Sequence, residues 1–334
     1  MANYVITLDT GTTNTRVILW DEQRNMVSTA KAEVGVRNTA IDGSNQRLKE
    51  AVKGCLEQAL SEAGVSYEQV AIIIASGMIT SNVGLVEIPH CVVPAGKKEL
   101  AAAVRPVELP DVCPMPITFI PGVKNSGGAI TYENFEAMDI MRGEEVESLA
   151  LLEQFPKGRC YLLVLPGSHM KFVSVDEEGR ITGCLTSISG ELLASITHNT
   201  IIADAVGRKF VEPGQYDREK VLLGYETAKA CGIGRACFSA RILNQFAEKD
   251  QQKLANYILG AALQSDVTSV QNSTALHVSR DTEVIVAGKD PLRQAILDIL
   301  RHENCFAHVH TAQTDDRSLS AQGAYLVAQA LALV

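Results

Sequence analysis

The chain has 334 residues, 46% of them hydrophobic and 21% charged, which suits a globular protein of about two domains. A formal charge of −9 and a pI near 5.4 argue against broad binding to nucleic acid or acidic membranes, since both need a basic face. An anionic small molecule stays open, because a cleft can be locally positive on an acidic protein.

Eight cysteines (Cys55, Cys91, Cys113, Cys160, Cys184, Cys231, Cys237 and Cys305) are scattered without CxxC spacing. Several lie in apolar runs, so they read as free, buried thiols in a reducing compartment. The N-terminus lacks a basic region and meets Asp9 too early for a signal peptide. No apolar stretch approaches the ~18 residues of a membrane span. The expectation is a cytoplasmic protein.

Three strand patterns open the chain, Tyr4–Leu8, Thr15–Trp20 and Met26–Glu33, separated by tight polar turns as in an antiparallel meander. A helix is predicted at about Asn45–Ala63 with Ser44 as its cap. Its apolar residues Leu48, Val52, Cys55, Leu56, Ala59, Leu60 and Ala63 recur at three- and four-residue steps. Val70–Ala75 is a continuous apolar run ending in Ser76-Gly77, the pattern of a strand buried on both faces. Seven prolines punctuate Pro89–Pro121, which reads mostly as loop with short extended pieces.

The same order then returns. Tyr161–Leu165, Lys171–Val175 and Ile181–Ser187 form a second meander. Helical patterns follow at about Arg218–Cys231, Ala240–Glu248 and Gln252–Val270, then a buried-type strand, Glu283–Ala287, again ending in Gly. A helix from Pro291, a strand near Phe306–His310 and a helix from about Ser320 close the chain. Two rounds of meander, helix and Gly-ended buried strand point to an internal duplication. Two such domains facing each other would form a cleft lined by both first turns.

The first turn reads Asp9-Thr10-Gly11-Thr12-Thr13-Asn14-Thr15-Arg16. Polyphosphate binding needs close backbone approach, several N–H or O–H donors and an anion to hold Mg²⁺ through water, and this turn supplies all three. The same residues also build ordinary polar hairpins. The second turn, Pro166-Gly167-Ser168-His169-Met170-Lys171, holds the matching place in the second round, and two matched turns are harder to explain as loops. Other signatures are missing: no GxxxxGK[ST], no GxGxxG after a strand, no HExxH, no GxSxG. His308 and His310 alternate beside His302, where core or surface histidines are commoner than ligands.

These two turns and the strand Val284-Ile285-Val286-Ala287-Gly288 resemble the phosphate and adenosine motifs of the actin-like ATPase and sugar-kinase superfamily. More specific strings, in order, are Ser76-Gly77-Met78-Ile79-Thr80-Ser81-Asn82, Met141-Arg142-Gly143-Glu144-Glu145, the PGSHxKF turn, and Ser189-Gly190-Glu191-Leu192. From Asp9 to Ala321-Gln322-Gly323 the chain resembles the 2-keto-3-deoxygalactonate kinase family. The resemblance implies an α/β fold of two ribonuclease-H-like domains, residues 1–155 with 318–334 and residues 156–317. It implies ATP and Mg²⁺ as cofactors, transfer of the γ-phosphoryl group to the 6-hydroxyl of a 2-keto-3-deoxy sugar acid, a place in galactonate catabolism, and compatibility with a homodimer.

Phosphoryl transfer is mostly positioning and charge stabilisation. The resemblance assigns Asp9 to Mg²⁺ and Gly11, Thr12, Thr13 and Asn14 to the β- and γ-phosphates. Arg16 reaches the γ-phosphate on one reading and pairs with a carboxylate on the other. Gly167, Ser168 and His169 face the phosphates from the opposite wall, Lys171 counters transition-state charge or points outward, and Gly288 admits the adenosine. Arg142-Gly143-Glu144-Glu145 offers both a cation for the acid's carboxylate and a base for its hydroxyl, or is a solvated helix start. Glu144 is the first choice of base, ahead of Glu145 and Asp9. Met78, Ser81, Asn82 and Arg142 fall on the sugar acid, and Glu191 bonds substrate or caps a helix. Family members carry Trp at Thr10, an aromatic at Leu85 and Tyr at His90, so the exact acid is less constrained than the reaction. The alternatives are a kinase for a related acid or neutral sugar, a non-catalytic ATP-binding sensor, and a phosphohydrolase on the same scaffold.

Overall fold

The computed structural model describes residues 4–313 and 318–331. The chain opens with β1 (Tyr4–Thr10), β2 (Thr15–Trp20) and β3 (Met26–Ala32), then α1 (Val36–Asp42), α2 (Gln46–Ala63) and β4 (Val70–Gly77). A connecting stretch carries β5 (Cys91–Val92), α3 (Lys97–Ala103), β6 (Arg105–Val107), β7 (Ile117–Phe119), β8 (Val123–Lys124) and β9 (Ile140–Met141), and leads into α4 (Glu144–Leu152). The second round holds β10 (Tyr161–Leu165), β11 (Met170–Val175), β12 (Ile181–Ser187), α5 (Ser189–Asn199), α6 (Arg218–Cys231), α7 (Ile233–Phe246) and α8 (Gln251–Asn272). It continues with β13 (Glu283–Val286), α9 (Leu292–Glu303) and β14 (Val309–Thr311), and α10 (Leu319–Ala330) follows.

Both main sheets share one order over five strands, and the first carries β6 as a sixth. The first runs β3-β2-β1-β4-β7-β6 and the second β12-β11-β10-β13-β14, with a small sheet β5-β8-β9 between them in sequence. In each, a meander pairs antiparallel and its first strand pairs parallel with the Gly-ended strand: β1 with β4, β10 with β13. This is the ribonuclease-H-like arrangement, present twice. Alternation alone does not produce it. β4 and β13 are apolar on both sides because helices or the other layer cover both faces, and their buried runs reflect that.

Three large cores hold these layers among the described residues. The predicted stripe of α2 is buried from Leu48 to Leu60 against β1, β2 and β4. Each fully buried Leu or Val there is worth roughly 1.5–3 kcal/mol. Helices α5 to α9 enclose a second core on one face of the second sheet. The third joins Ile18, Trp20, Ile72 and Ile74 of the first sheet to Leu163, Val173 and Ile285 of the second through α4 and α10. There α10 crosses α4 at backbone contact: a Cβ on Gly323 would lie 1.8 Å from the Val146 carbonyl oxygen.

Several expected boundaries change. Pro89–Pro121 holds the expected loops and short strands but also the helix α3, which was not expected. Lys97-Lys98-Glu99-Leu100-Ala101-Ala102-Ala103 is a run of strong helix formers, and Glu99 caps the start by accepting from the Gly96 N–H at 2.9 Å. Asn45, not Ser44, is the N-cap residue of α2, although the Ser44 hydroxyl accepts from the Gln46 N–H at 3.3 Å. α7 begins at Ile233, seven residues before the predicted Ala240, because Gly232 both ends α6 and starts α7. The strand expected at Phe306–His310 forms at Val309–Thr311. All eight cysteines are free, but Cys160 and Cys231 are exposed rather than buried.

Candidate active site

β1 ends on Asp9 and Thr10, and the hairpin into β2 is closed by the Gly11 N–H donating to the Asn14 carbonyl at 2.9 Å. The N-terminus of α1 backs this turn: the Val36 and Arg37 N–H groups donate to the Gly11 and Thr12 carbonyls. Thr12 and Thr13 are left exposed at its crest, and Asn14 donates to the Thr13 hydroxyl at 2.8 Å. Thr10 turns inward, fully buried, with its hydroxyl 3.1 Å from that of Thr15.

Asp9 is enclosed by elements far apart in sequence. It pairs across the ladder with Arg16 on β2 and with Ser76 on β4. Its Oδ2 accepts from the Ser320 hydroxyl on α10 at 3.1 Å. Burial raises its carboxyl above the ordinary value, opposed by Ser320 and Arg16 and reinforced by Glu144. The next residue on that side is Gly77, with φ +85°. A Cβ there would stand 2.8 Å from Asp9 Oδ1, so this position excludes any side chain. Gly143, the N-cap of α4, comes next: its own Cβ would lie 3.4 Å from the Gly77 Cα. Three separate strings of the sequence, at Asp9, Gly77 and Gly143, therefore stack in direct contact.

α4 delivers carboxyls to that stack. The fully buried Glu145 accepts from the Gly143 N–H at 2.7 Å, and burial followed by the Glu144 charge pushes it up to about 8. Glu147 is also pushed up to about 8, by burial, Glu144 and Asp9. Glu144 Oε2 and Glu145 Oε1 are buried with no hydrogen-bond partner among the described residues. Neither Glu147 nor Ser320 was expected at the site. Glu147 was legible as the residue one turn along the helix from Glu144. Ser320 had no local signal.

Arg142 points the other way, into the segment after β4. Its Nη1 donates to the Thr80 hydroxyl at 2.7 Å, and its Nη2 donates to the Ile88 carbonyl at 2.8 Å and toward His90 Nδ1 at 3.4 Å. Burial and the Arg142 charge lower His90 to about 4, which keeps its ring neutral as an acceptor. Three guanidinium donors thus serve the scaffold, leaving two of five for a ligand. Ser81 is buried with its hydroxyl donating to the Met78 carbonyl at 2.7 Å, Met78 packs partly on the first core, and Asn82 is exposed. Leu85 belongs to the core.

The second turn rests on the start of α5. The Glu191 N–H donates to the Ser168 carbonyl at 3.0 Å, and the Glu191 carboxylate meets His169 Nε2 at 3.0 Å. A Cβ on Gly190 would come 2.2 Å from the Gly167 carbonyl oxygen, so the helix touches the turn backbone to backbone. Glu191, grouped by sequence with the sugar acid, thus has its partner in the second turn. Gly288, at φ +88°, lies against Pro166 of the same turn.

Beside it opens an apolar cavity of about 350 Å³ between Gly167, Leu193, Ala194, Phe210, Leu259 and Leu292. Of the residues singled out in the sequence, Gly167 and Ser168 line its edge and Gly288 does not; its walls come from α5, α8, the start of α9 and the loop before α6. Lys171 does not point outward. It is buried, and its Nζ donates to the Ile140 carbonyl at 2.7 Å and the Thr186 hydroxyl at 2.5 Å. Ile140 lies two residues before Arg142, so this lysine ties the second turn's strand to the glutamate string. Asn125 adds a second tie, accepting from the Cys184 N–H and donating to the Cys184 carbonyl, each at 2.8 Å.

The 2-keto-3-deoxy-galactonokinase family profile matches residues 9–323. A Rhizobium meliloti (strain 1021) protein named probable 2-dehydro-3-deoxygalactonokinase is 28% identical over 205 residues, 61% of this chain and 60% of that protein. The matched stretch therefore spans about 60% of that relative's length. The 2-dehydro-3-deoxygalactonokinase of Escherichia coli (strain K12) is 22% identical over 272 residues, 81% of each chain. A crystal structure from Sinorhizobium meliloti, described under the same kinase name, superposes with a TM-score of 0.70 at 19% identity, covering 98% of this chain and 96% of that one. That superposition shows a shared fold. With the stacked strings at Asp9, Gly77 and Gly143 inside the matched range, the chain belongs to the 2-keto-3-deoxy-galactonokinase family.

Proposed function

We propose that this protein is an ATP-dependent kinase for a 2-keto-3-deoxy sugar acid, with 2-dehydro-3-deoxy-D-galactonate as the substrate and its 6-hydroxyl as the acceptor. One observation carries the reading: the first turn, the Gly77 corner and the glutamate string meet in direct contact, and Lys171 ties the last of these to the second turn. Family membership supports the same chemistry.

The apolar cavity beside Gly167 suits an adenine base, and the Gly167-Ser168-His169 turn at its edge suits the phosphates, with the first N–H groups of α5 behind them. Gly11, Thr12, Thr13 and Asn14 take the β- and γ-phosphates from the other side, with Arg16 next to them. The enclosed Asp9 carboxylate suits a hard divalent cation, which is held through water and phosphate oxygens and needs few protein ligands. Asp9 would hold Mg²⁺, which when bound neutralises the charge on the transferring phosphoryl group.

Glu144 is the general base: it takes the proton of the 6-hydroxyl as the O6–Pγ bond forms and the bond from Pγ to the β-phosphate oxygen breaks. Glu145, held protonated at neutral pH and bonded to Gly143, is poorly suited to that task. The two free N–H groups of Arg142 bind the substrate carboxylate, with Met78, Ser81 and Asn82 around it. Lys171 acts through the strand it holds. We divide the chain into residues 1–155 with 318–334 and residues 156–317, closing on the ligands to exclude water.

The test is ADP release with Mg-ATP across a panel of 2-keto-3-deoxy acids and neutral sugars. Turnover should be strongest with 2-dehydro-3-deoxy-D-galactonate. Turnover of neutral sugars alone, or nucleotide binding without turnover of any acid, would overturn the assignment.

A further inference from the structure

A buried carboxylate that the phosphoryl-transfer reading leaves unused sits behind the apolar cavity. Asp266, on α8, is fully buried. Its Oδ1 accepts from the Ser187 hydroxyl, and its Oδ2 has no partner among the described residues. Ser187 in turn stands 3.0 Å from the Ser189 hydroxyl and receives the Ser189 N–H at 3.4 Å. Since the Ser187 proton is committed to Asp266, Ser189 donates to Ser187.

A buried carboxylate with one oxygen unpaired is costly, and native structures hold few of them. Its location suggests a use. Ser189 is the first residue of α5, whose next residue, Gly190, touches the Gly167 carbonyl, and whose Glu191 N–H bonds Ser168. Leu193, Ala194 and Thr197 of α5 form one wall of the cavity, and Ala255 and Leu259 of α8 form the facing wall. Leu259 and Asp266 are about two helical turns apart on one face of α8. Through Ser187, Asp266 thus links α8 to the start of α5 at the end nearest the turn. Burial raises it to about 6, with the two serines opposing the rise, so it is mostly ionised at neutral pH and the Ser187 hydroxyl stays oriented toward it.

We propose that Asp266 is a positioning residue for the nucleotide: through Ser187 and Ser189 it sets the start of α5 and with it the Gly167–His169 turn. This rests on the placement of ATP in the cavity proposed above.

The experiment measures binding of Mg-bound adenosine 5′-(β,γ-imido)triphosphate by calorimetry, with KM for ATP and for the sugar acid, in the wild type, D266A, D266N and S187A. D266A should weaken nucleotide binding and raise the ATP KM by about tenfold, leaving the sugar-acid KM within about twofold. D266N, which still accepts from Ser187, should recover most of the loss, and S187A should resemble D266A. Melting temperature follows each variant, so a purely structural role would appear as lowered melting with both KM values unmoved or moved together. That outcome, or D266A binding nucleotide as the wild type does, overturns the role of Asp266. A wild type that binds no nucleotide overturns the underlying ATP placement instead.

Discussion

The two rounds of the fold share a sheet order and differ in what they place at its end. Beside β1 and β4 the structure gathers Asp9, Glu144, Glu145 and Glu147, several with raised affinity for protons, and glycines at Gly77 and Gly143 that let backbones touch. Beside β10 and β13 it opens a cavity walled by Leu193, Ala194, Phe210 and Leu259, with polar atoms mainly at its turn. One topology thus supports a charged, tightly filled corner and an apolar hollow. The sheets are interchangeable scaffolding, and the helices laid on them carry the difference: α4 and α10 on one side, α5, α8 and α9 on the other.

Each variant below asks whether that division of labour is real. The largest effect belongs to the charged corner. Glu144→Gln should lower kcat by ~10²-fold or more while nucleotide affinity measured by calorimetry stays near wild type. Near-normal kcat would remove Glu144 from the role of base.

Arg142→Ala should raise the sugar-acid KM by about thirtyfold with little change in the ATP KM, and Arg142→Lys should restore little, because a point charge cannot replace a fork already bonded to Thr80 and Ile88. Steady-state kinetics in both substrates checks this, and an equal rise in the two KM values would erase the contrast between the regions.

Gly190→Ala probes the hollow from its rim. The new methyl would overlap the Gly167 carbonyl, so the turn must shift, and the ATP KM should rise by about tenfold with kcat less affected. An unchanged ATP KM would detach the second turn from the nucleotide.

The smallest effect is in stability. Glu145 titrates at about 8 in the fold and near 4.5 unfolded, so between those pH values the folded state binds more protons. Stability attributable to Glu145 therefore falls as pH rises from about 4.5 through 8. Glu145→Gln has no such loss, and its melting temperature relative to wild type should climb by roughly a few degrees between pH 5 and pH 8. A difference independent of pH would show that Glu145 is not held protonated.

Much of this was legible in the chain. β2, β10, β12 and α6 coincide with their predicted ranges, because alternation and helical periodicity act over neighbouring residues. α1 and α3 were not anticipated as helices, and α5 was anticipated only as a helix start at Glu191. Each begins at or beside a glycine, and the first two are seven residues long, too short for a periodic stripe to emerge. At the site, the strings around Asp9, Gly77, Arg142 and Gly167 stood out by composition. Lys171 was the instructive case: an alternating strand position suggests solvent, whereas the packing of β9 over it turns it into an interior tie.

Local order in the chain determined the two rounds of strands and helices, the turns at Asp9 and Gly167, and the glutamates at the start of α4, because dihedral preference and apolar spacing are properties of adjacent residues. Tertiary structure alone decided that Ser320 bonds Asp9 from 311 positions away, that Gly77 and Gly143 meet, and that Asp266 stands behind α5. Those contacts join segments with no shared period. They exist because burying the three large cores at once leaves the helices one way to lie on the sheets.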